Sequence, residues 1–247
     1  MESELPMQNF ITERTQFTDT IVTLAGAEHH HATRSCRVRT GELIGVTDGC
    51  GKRVEARIEA IDSRMLTAAI ERDVSGIGEP AIEITVALAL ISPARFETAV
   101  EKCTELGARR FAPVFARRCT VNPGRLKLDR LKRIVVEAAK QSGRSYIPEI
   151  VEPVPIQSLQ ADAWGQVLAA MKGAASSLES ALQGCATERI ALVIGPEGDF
   201  TDEEMAMLSG IGARFFSLGK LLLRSETAAI AATALVVNII KEPFETW

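Results

Sequence analysis

Residues 190–204 read IALVIGPEGDFTDEE. The apolar run Ile190-Ala191-Leu192-Val193-Ile194 has the pattern of a short buried strand, and Gly195-Pro196-Glu197-Gly198 stops it. A helix is predicted to begin at Thr201. Its hydroxyl can cap the first turn, Glu204 three residues on completes a capping box, and Asp202 and Glu203 add negative charge where the helix dipole favours it. Two glycines and a proline leave the intervening backbone with little side-chain bulk, so it can pass close to a flat ligand.

Residues 215–233, FFSLGKLLLRSETAAIAAT, repeat the plan. A strand is predicted to end at Leu218, Gly219 turns the chain, an apolar run Leu221-Leu222-Leu223 follows, and Arg224-Ser225-Glu226-Thr227 opens a long apolar helix. Taken singly, each stretch is an ordinary turn of an α/β domain. Two loops at strand ends, each before a helix N-terminus, together predict a ligand cleft.

As a pair, GPEGDFTDEE and SLGKLLLRSETAAIAA resemble the cofactor-binding signature of the SPOUT methyltransferases, specifically the ribosomal RNA uracil-N3 methyltransferases that act on 16S RNA. The resemblance implies a C-terminal α/β trefoil-knot methyltransferase domain that holds S-adenosylmethionine in a bent shape. Knotted chains are nearly absent from proteins, so periodicity and composition cannot predict that topology. The implied cofactor-binding residues are Ile194, Gly195, Glu197 and Gly198 in the first loop, with Leu218, Gly219, Leu223, Arg224, Thr227 and Ala228 in and after the second. Arg224 and Glu226 are the implied catalytic positions. Arg224 would stabilise negative charge developing on the uracil, and its alternative role is an ion pair with Glu226 or Glu197. No residue stands out as a general base. The sulfonium is a strong electrophile, so such an enzyme mainly orients the reactants and helps the ring nitrogen lose its proton. A uracil in folded RNA must also be unstacked, at a cost of roughly a few kcal/mol.

Composition bounds the remaining choices. At 247 residues with 46% apolar content, the chain can bury one large core or two small ones. It contains no run of eighteen uncharged apolar residues, and MESELPMQNF lacks a basic region followed by an apolar segment; a soluble, cytoplasmic, unprocessed protein without a membrane partner is expected. Five scattered cysteines, Cys36, Cys50, Cys103, Cys119 and Cys185, show no Cys-x-x-Cys spacing and are expected to be reduced. His29, His30 and His31 are adjacent, so they point in different directions, and no acidic or cysteine partner lies at ligand spacing; no metal is expected. In the resembled family a histidine here opens a short helix, with His30 or His31 the match and a structural role implied. No Gly-x-Gly-x-x-Gly follows a strand, and Gly195-Pro196-Glu197-Gly198 lacks the Lys-Ser/Thr of a phosphate-binding loop.

Residues 1–75 read as a β-rich unit. Strand patterns occur near Val22, from Glu42, from Lys52 with Val54, Ala56 and Ile58 alternating, and from Met65; Asp48-Gly49-Cys50-Gly51 is a hairpin-type turn, which fits a small barrel. The segment Arg34 to Glu42 resembles the family's PUA-like RNA-binding barrel and implies RNA contacts at Arg34, Arg37 and Arg39. Cys36, Val38 and Glu42 depart mildly from the usual pattern, and Gln8-Asn9-Phe10 lacks an arginine common there. Ser75 to Pro80 reads as a linker, so 76–247 is the predicted methyltransferase domain. It opens with a buried strand over Ile84 to Ile91, a helix from Pro93 to Leu106, a strand from Phe111 to Phe115 and a helix over 126–142 ended by Gly143. Such alternation defines an α/β fold. Ser92 stands where the family commonly has lysine. A strand and a small helix are predicted between Trp164 and Ala186. The last helix, Thr227 to Ile240, is apolar nearly all round and must be buried in the core or against a second chain. The resembled family dimerises through its knot, implying a homodimer.

Net charge is −4, with the two signs segregated. From Glu101 to Tyr146 there are twelve Lys and Arg against four Asp and Glu, a local +8, whereas residues 147–247 carry −7. A basic segment that includes Arg117 and Arg118 can meet a phosphate backbone or serve as a solvated face. EAAKQSGRSYIPEI again resembles the family, which places Gln141 and Arg144, with Glu137 and Ser142, near the target nucleotide; helix polarity is the alternative. The expected partner is 16S ribosomal RNA or the small ribosomal subunit. Two other readings stay open: a knotted methyltransferase acting on a ribose 2′-oxygen or a guanine, and a non-catalytic RNA-binding protein.

Overall fold

The computed structural model describes residues 7–159, 164–185 and 187–240. The chain forms two compact units, Met1–Glu79 with Ala139–Ile147, and Pro80–Ala138 with Pro148–Trp247. The first unit thus takes in Ala139–Ile147, which the sequence reading grouped with residues 76–247.

The first unit is a curled five-stranded sheet. Its strands are β1 (Gln8–Ile11), β2 (Ile21–Ala25), β3 (Leu43–Thr47), β4 (Arg53–Ile61) and β5 (Met65–Asp73), in the order β1-β3-β4-β5-β2. β1 runs parallel to β3, and the other pairs are antiparallel. Alternation decides the inner face: Val54, Ala56 and Ile58 of β4 are buried with Val22, Leu24, Ile44, Val46, Leu66 and Ala68. Register shifts between β4 and β5 at Glu55/Ala56 and Ile58/Ala60 add the local twist that helps a sheet curl. At the β3–β4 turn the Asp48 carboxylate accepts from the amides of Cys50 (2.8 Å) and Lys52 (3.0 Å). β1 was not predicted, because its four residues carry too little pattern to register.

Residues 139–147 are tied into this unit by buried polar groups. Glu79 Oε2 accepts from Arg144 Nη2 at 2.6 Å, and Glu79 Oε1 accepts from the amide of Ser145 at 2.8 Å. Thr47 Oγ1 donates to the Ser145 carbonyl (3.0 Å), and Lys140 Nζ pairs with Glu28 (3.0 Å). Glu28 lies in the short helix α1 (Gly26–His30), which continues into a π-helical turn over His31–Cys36.

The second unit is a parallel sheet of β6 (Glu83–Ala89), β7 (Arg110–Phe115), β8 (Glu149–Ile150), β9 (Val154–Pro155), β10 (Gln166–Ala170), β11 (Arg189–Ile194) and β12 (Arg214–Phe216). The order is β12-β10-β11-β6-β7-β8, with β9 also pairing to β7. β6 and β11 are buried along nearly their whole length, as near-continuous apolar strands in a parallel sheet should be. Helices α2 (Pro93–Glu105), α3 (Leu128–Ser142), α4 (Leu178–Leu182), α5 (Asp202–Gly210) and α6 (Ser225–Ile239) connect or follow the strands, with α3 leading into the segment claimed by the first unit. Phe96, Ala99, Val100 and Cys103 form the buried stripe of α2, against which α6 packs. Thr233 Oγ1 donates to Cys103 Sγ at 3.5 Å, and burial pushes the Cys103 thiol up to about 12. One face of α6 is buried through Ala229, Ala232, Thr233 and Val236, while Leu235 and Ile239 stay 41% and 38% exposed. Among the described residues no helix is long and apolar enough to cross a membrane.

Candidate functional site

A cavity of about 320 Å³ opens in the second unit at the carboxyl ends of β10, β11 and β12. Loops diverge at this edge of an open parallel sheet, and ligands collect there. Ala170–Lys172 follows β10, Ile194–Asp199 follows β11, and Ser217–Gly219 with Leu221–Leu223 follows β12; Ser225 and Ala228 of α6 complete the wall.

The turn after β11 is fixed from several directions. The Asp199 amide donates to the Pro196 carbonyl at 2.9 Å, with Asp199 at φ 61°. A Cβ on Gly195 would sit 3.2 Å from the Phe200 ring, so a larger residue there would push against that packing. Arg118 Nη1 donates to the carbonyls of Gly198 (2.8 Å) and Phe200 (3.1 Å). Ser225 Oγ, buried at the start of α6, donates to the Gly195 carbonyl at 2.8 Å and so links the two turns. Arg95 of α2 pairs with Glu197 and stands 3.6 Å from Glu226. The capping box forms as predicted: Glu204 Oε2 accepts from the Thr201 amide (2.9 Å), and the Thr201 hydroxyl accepts from the Glu204 amide (3.3 Å). Glu204 Oε1 also accepts from the Arg117 amide at 2.7 Å.

The turn after β12 is anchored at its start, where the Ser217 amide donates to the Ser176 carbonyl at 2.9 Å, and is held locally beyond that. Ser217 Oγ accepts from the Gly219 amide at 3.2 Å, and Gly219 lies at φ 116°, where a side chain would be strained. Leu221 and Leu222 are 83% and 74% exposed at the rim. Glu197 and Asp199 supply carboxylates to the wall, and Lys172 supplies its cation. Among the described residues no group of three or more His, Cys, Asp or Glu could hold a metal ion.

A parallel sheet with two glycine turns facing one small-molecule cavity, preceded by a curled β sheet, defines a two-unit α/β protein with a ligand cleft at its strand ends. The chain belongs to the RNA methyltransferase domain family, whose profile matches residues 78–237, and an RNA methyltransferase PUA domain matches residues 24–71. It is 34% identical over 233 residues to the ribosomal RNA small subunit methyltransferase E of Synechocystis sp., covering 92% of this chain and 76% of that protein. The Mycobacterium bovis protein of the same name is 30% identical, over 89% of this chain and 87% of its own. Among solved structures, the Neisseria gonorrhoeae ribosomal RNA small subunit methyltransferase E bound to S-adenosyl methionine aligns with a TM-score of 0.82 at 27% identity, covering 94% of this chain and 98% of that one. A Legionella pneumophila putative methyltransferase in complex with the same cofactor aligns with a TM-score of 0.77 at 27% identity, over 94% and 97% of the two chains.

Ile194, Gly195, Glu197, Gly198, Leu218, Gly219, Leu223 and Ala228 line the cavity; Arg224 and Thr227 are not among its lining residues. Arg224 is the exposed N-cap residue of α6, and the ion pair with Glu226 or Glu197 that was its alternative role does not form among the described residues. Arg95 takes both carboxylates instead, because α2 carries its guanidinium between the two turns. Glu226 keeps one buried oxygen, Oε2, without a hydrogen-bond partner.

The residues expected to contact RNA are divided. Arg34, Arg37 and Arg39 are exposed on and after the π-helical turn, and Arg117 and Gln141 are also exposed. Arg144 is a correction: its side chain is 6% exposed and held by Glu79, so a phosphate could engage it only by breaking a buried pair. Arg118 is a partial correction, since its guanidinium is engaged by backbone carbonyls of the Gly198–Phe200 turn. Sequence reasoning missed Lys172 and Met171, although both follow a strand at the carboxyl edge. It also missed Arg95, which sits on the charged side of its helix, where no periodicity marks it out.

Proposed function

We propose that the protein transfers a methyl group from S-adenosylmethionine to N3 of a uridine in 16S ribosomal RNA of the small subunit. The observation that carries this reading is the cavity between the two glycine turns, in a chain of the RNA methyltransferase family. Its contents suit the cofactor. A volume of about 320 Å³ falls within the small-molecule range. Leu218, Leu221, Leu222 and Leu223 offer apolar surface to a flat heterocycle, Glu197 and Asp199 offer negative charge to a cation, and Lys172 can meet a carboxylate. Ile194, Gly195, Gly198, Gly219 and Ala228 add backbone groups and close approach. When bound, S-adenosylmethionine supplies an electrophilic methyl on sulfur.

The chain's own residues supply position and electrostatics. Arg224, exposed at the N-cap of α6, would face charge gathering on the uracil, and Glu226 would keep Arg95 in place. Arg34, Arg37, Arg39, Arg117 and Gln141 offer an RNA contact set from exposed positions. A PUA-like barrel domain over 1–75, a knotted methyltransferase domain over 76–247, and a homodimer working in the cytoplasm complete the reading; the exposed Leu235 and Ile239 of α6 provide apolar surface for a second copy. Small subunits lacking the modification, incubated with the protein and cofactor, should yield 3-methyluridine on nucleoside analysis. A 2′-O-methyl nucleoside or a methylguanine as product would overturn the assignment to uracil N3.

A further inference from the structure

A second cavity, of about 170 Å³, lies at the carboxyl ends of β6 and β7 and shares Pro196, Glu197 and Gly198 with the first as a common wall. Building on the proposed function, we propose that this cavity holds the target uracil and that Arg95 reads it. The lining alternates in the way a single flat base requires. Leu90 and Ile91 are buried and apolar, while Arg95, Arg118 and Thr120 bring polar groups to the same space. The size admits a six-membered ring.

Arg95 is built for reading rather than for simple charge pairing. Its Nη1 donates to Glu197 and its Nε faces Glu226 at 3.6 Å, so two carboxylates on separate turns orient one planar guanidinium. Its Nη2 has no partner among the described residues. Uracil presents two carbonyl acceptors flanking its N3 proton, and the Nη2 donor is assigned to O4, the one that cytosine replaces. Cytosine presents an amino group in place of one carbonyl and has no proton on N3, which sets donor against donor on that edge. As N3 gives its proton to water, the charge left on the ring spreads to the carbonyl oxygens, and the same contact becomes charge-assisted. Because Pro196, Glu197 and Gly198 line both cavities, the two open beside each other, and over that shared rim N3 can take the methyl directly as the carbon–sulfur bond breaks.

The test uses the full chain with unmodified small subunits, following initial methyl-transfer rate, product nucleoside and calorimetric cofactor affinity for the parent, Arg95→Gln, Arg95→Lys and Val121→Trp. Val121 lines the second cavity and not the first, so tryptophan there fills the proposed base site without entering the cofactor wall. Expected for Val121→Trp is a rate loss of ~100-fold with cofactor affinity held within roughly twofold, and for Arg95→Gln a rate loss of ~100-fold that exceeds its loss of cofactor affinity by at least ~10-fold. Arg95→Gln should also go on gaining rate at pH values where the parent has levelled off, because the ring anion has lost its stabilising cation, and Arg95→Lys should recover part of the loss. Parental rates in Val121→Trp, or cofactor affinity falling in step with rate in Arg95→Gln, would overturn this proposal alone. A parent that forms no 3-methyluridine would overturn the proposed function, and this assignment with it.

Discussion

The turn after β11 and the turn after β12 face the same cavity, yet the first is held at several points by side chains from distant segments and the second at its first residue only. Gly195 and Pro196 are buried, and the first turn receives bonds from Arg118 on the loop after β7 and from Ser225 on α6, with Glu197 held by Arg95 of α2. The second turn is tied at its first residue, where the Ser217 amide donates to the Ser176 carbonyl at 2.9 Å; beyond that it has the contact between Ser217 and Gly219, and it leaves Leu221 and Leu222 in solvent. Bonds from distant segments are paid for once, during folding, so the first turn is a preorganised wall. Exposed leucines at a cavity rim gain apolar contact only when a ligand covers them, so the second turn is the adaptable wall.

Breaking the rigid wall should have the largest effect. Gly198 lies outside the positive-φ region, and a Cβ there meets Arg118 at an ordinary 3.4 Å, so Gly198→Trp can fold while its bulk distorts the Pro196–Gly198 wall of the cavity. Calorimetry should show cofactor binding weakened by at least ~100-fold, about 3 kcal/mol, with the thermal unfolding midpoint of the parent. Arg118→Met removes the donor to the Gly198 and Phe200 carbonyls and should cost ~10-fold in cofactor affinity, about 1.4 kcal/mol, in the same titration. Ser225→Ala leaves the Gly195 carbonyl without its hydroxyl partner; urea unfolding should register a loss of about 1 kcal/mol. Leu221→Ser with Leu222→Ser sharpens the contrast from the other side. Stability should stay within about 0.5 kcal/mol, since both side chains are exposed, while cofactor affinity drops by roughly threefold. Stability lost in the leucine pair, or affinity unchanged in Arg118→Met, would invert the assignment of rigid and adaptable walls.

Local chemistry was legible wherever it is written in adjacent residues. The capping box at Thr201 and Glu204, the hairpin turn at Asp48, the inward set Val54, Ala56 and Ile58, and the long apolar helix from residue 225 all follow from spacing alone. So did the glycine turns, because a buried strand must stop before its loop can approach a ligand. Short or weakly patterned pieces were not legible: β1 has four residues, and the segment 139–147 looks from its sequence like the tail of a helix.

What the sequence determined by itself is therefore the alphabet of the site: two turns, their helix starts, and an α/β framework of short apolar strands. Which turn faces which neighbour was decided only by strand order, because β11 lies between β10, the strand before it in sequence, and β6, which is far from it along the chain. That order puts Lys172 beside Gly195, brings Arg118 to the carbonyls of the first turn, and aims Arg95 at Glu197 and Glu226. Within the first unit, folding likewise pairs the basic Arg144 with Glu79, a neighbour remote in sequence. Hydrogen bonds and ion pairs depend on positions within a few ångströms, and neighbours that distant in sequence leave no periodic trace in either segment.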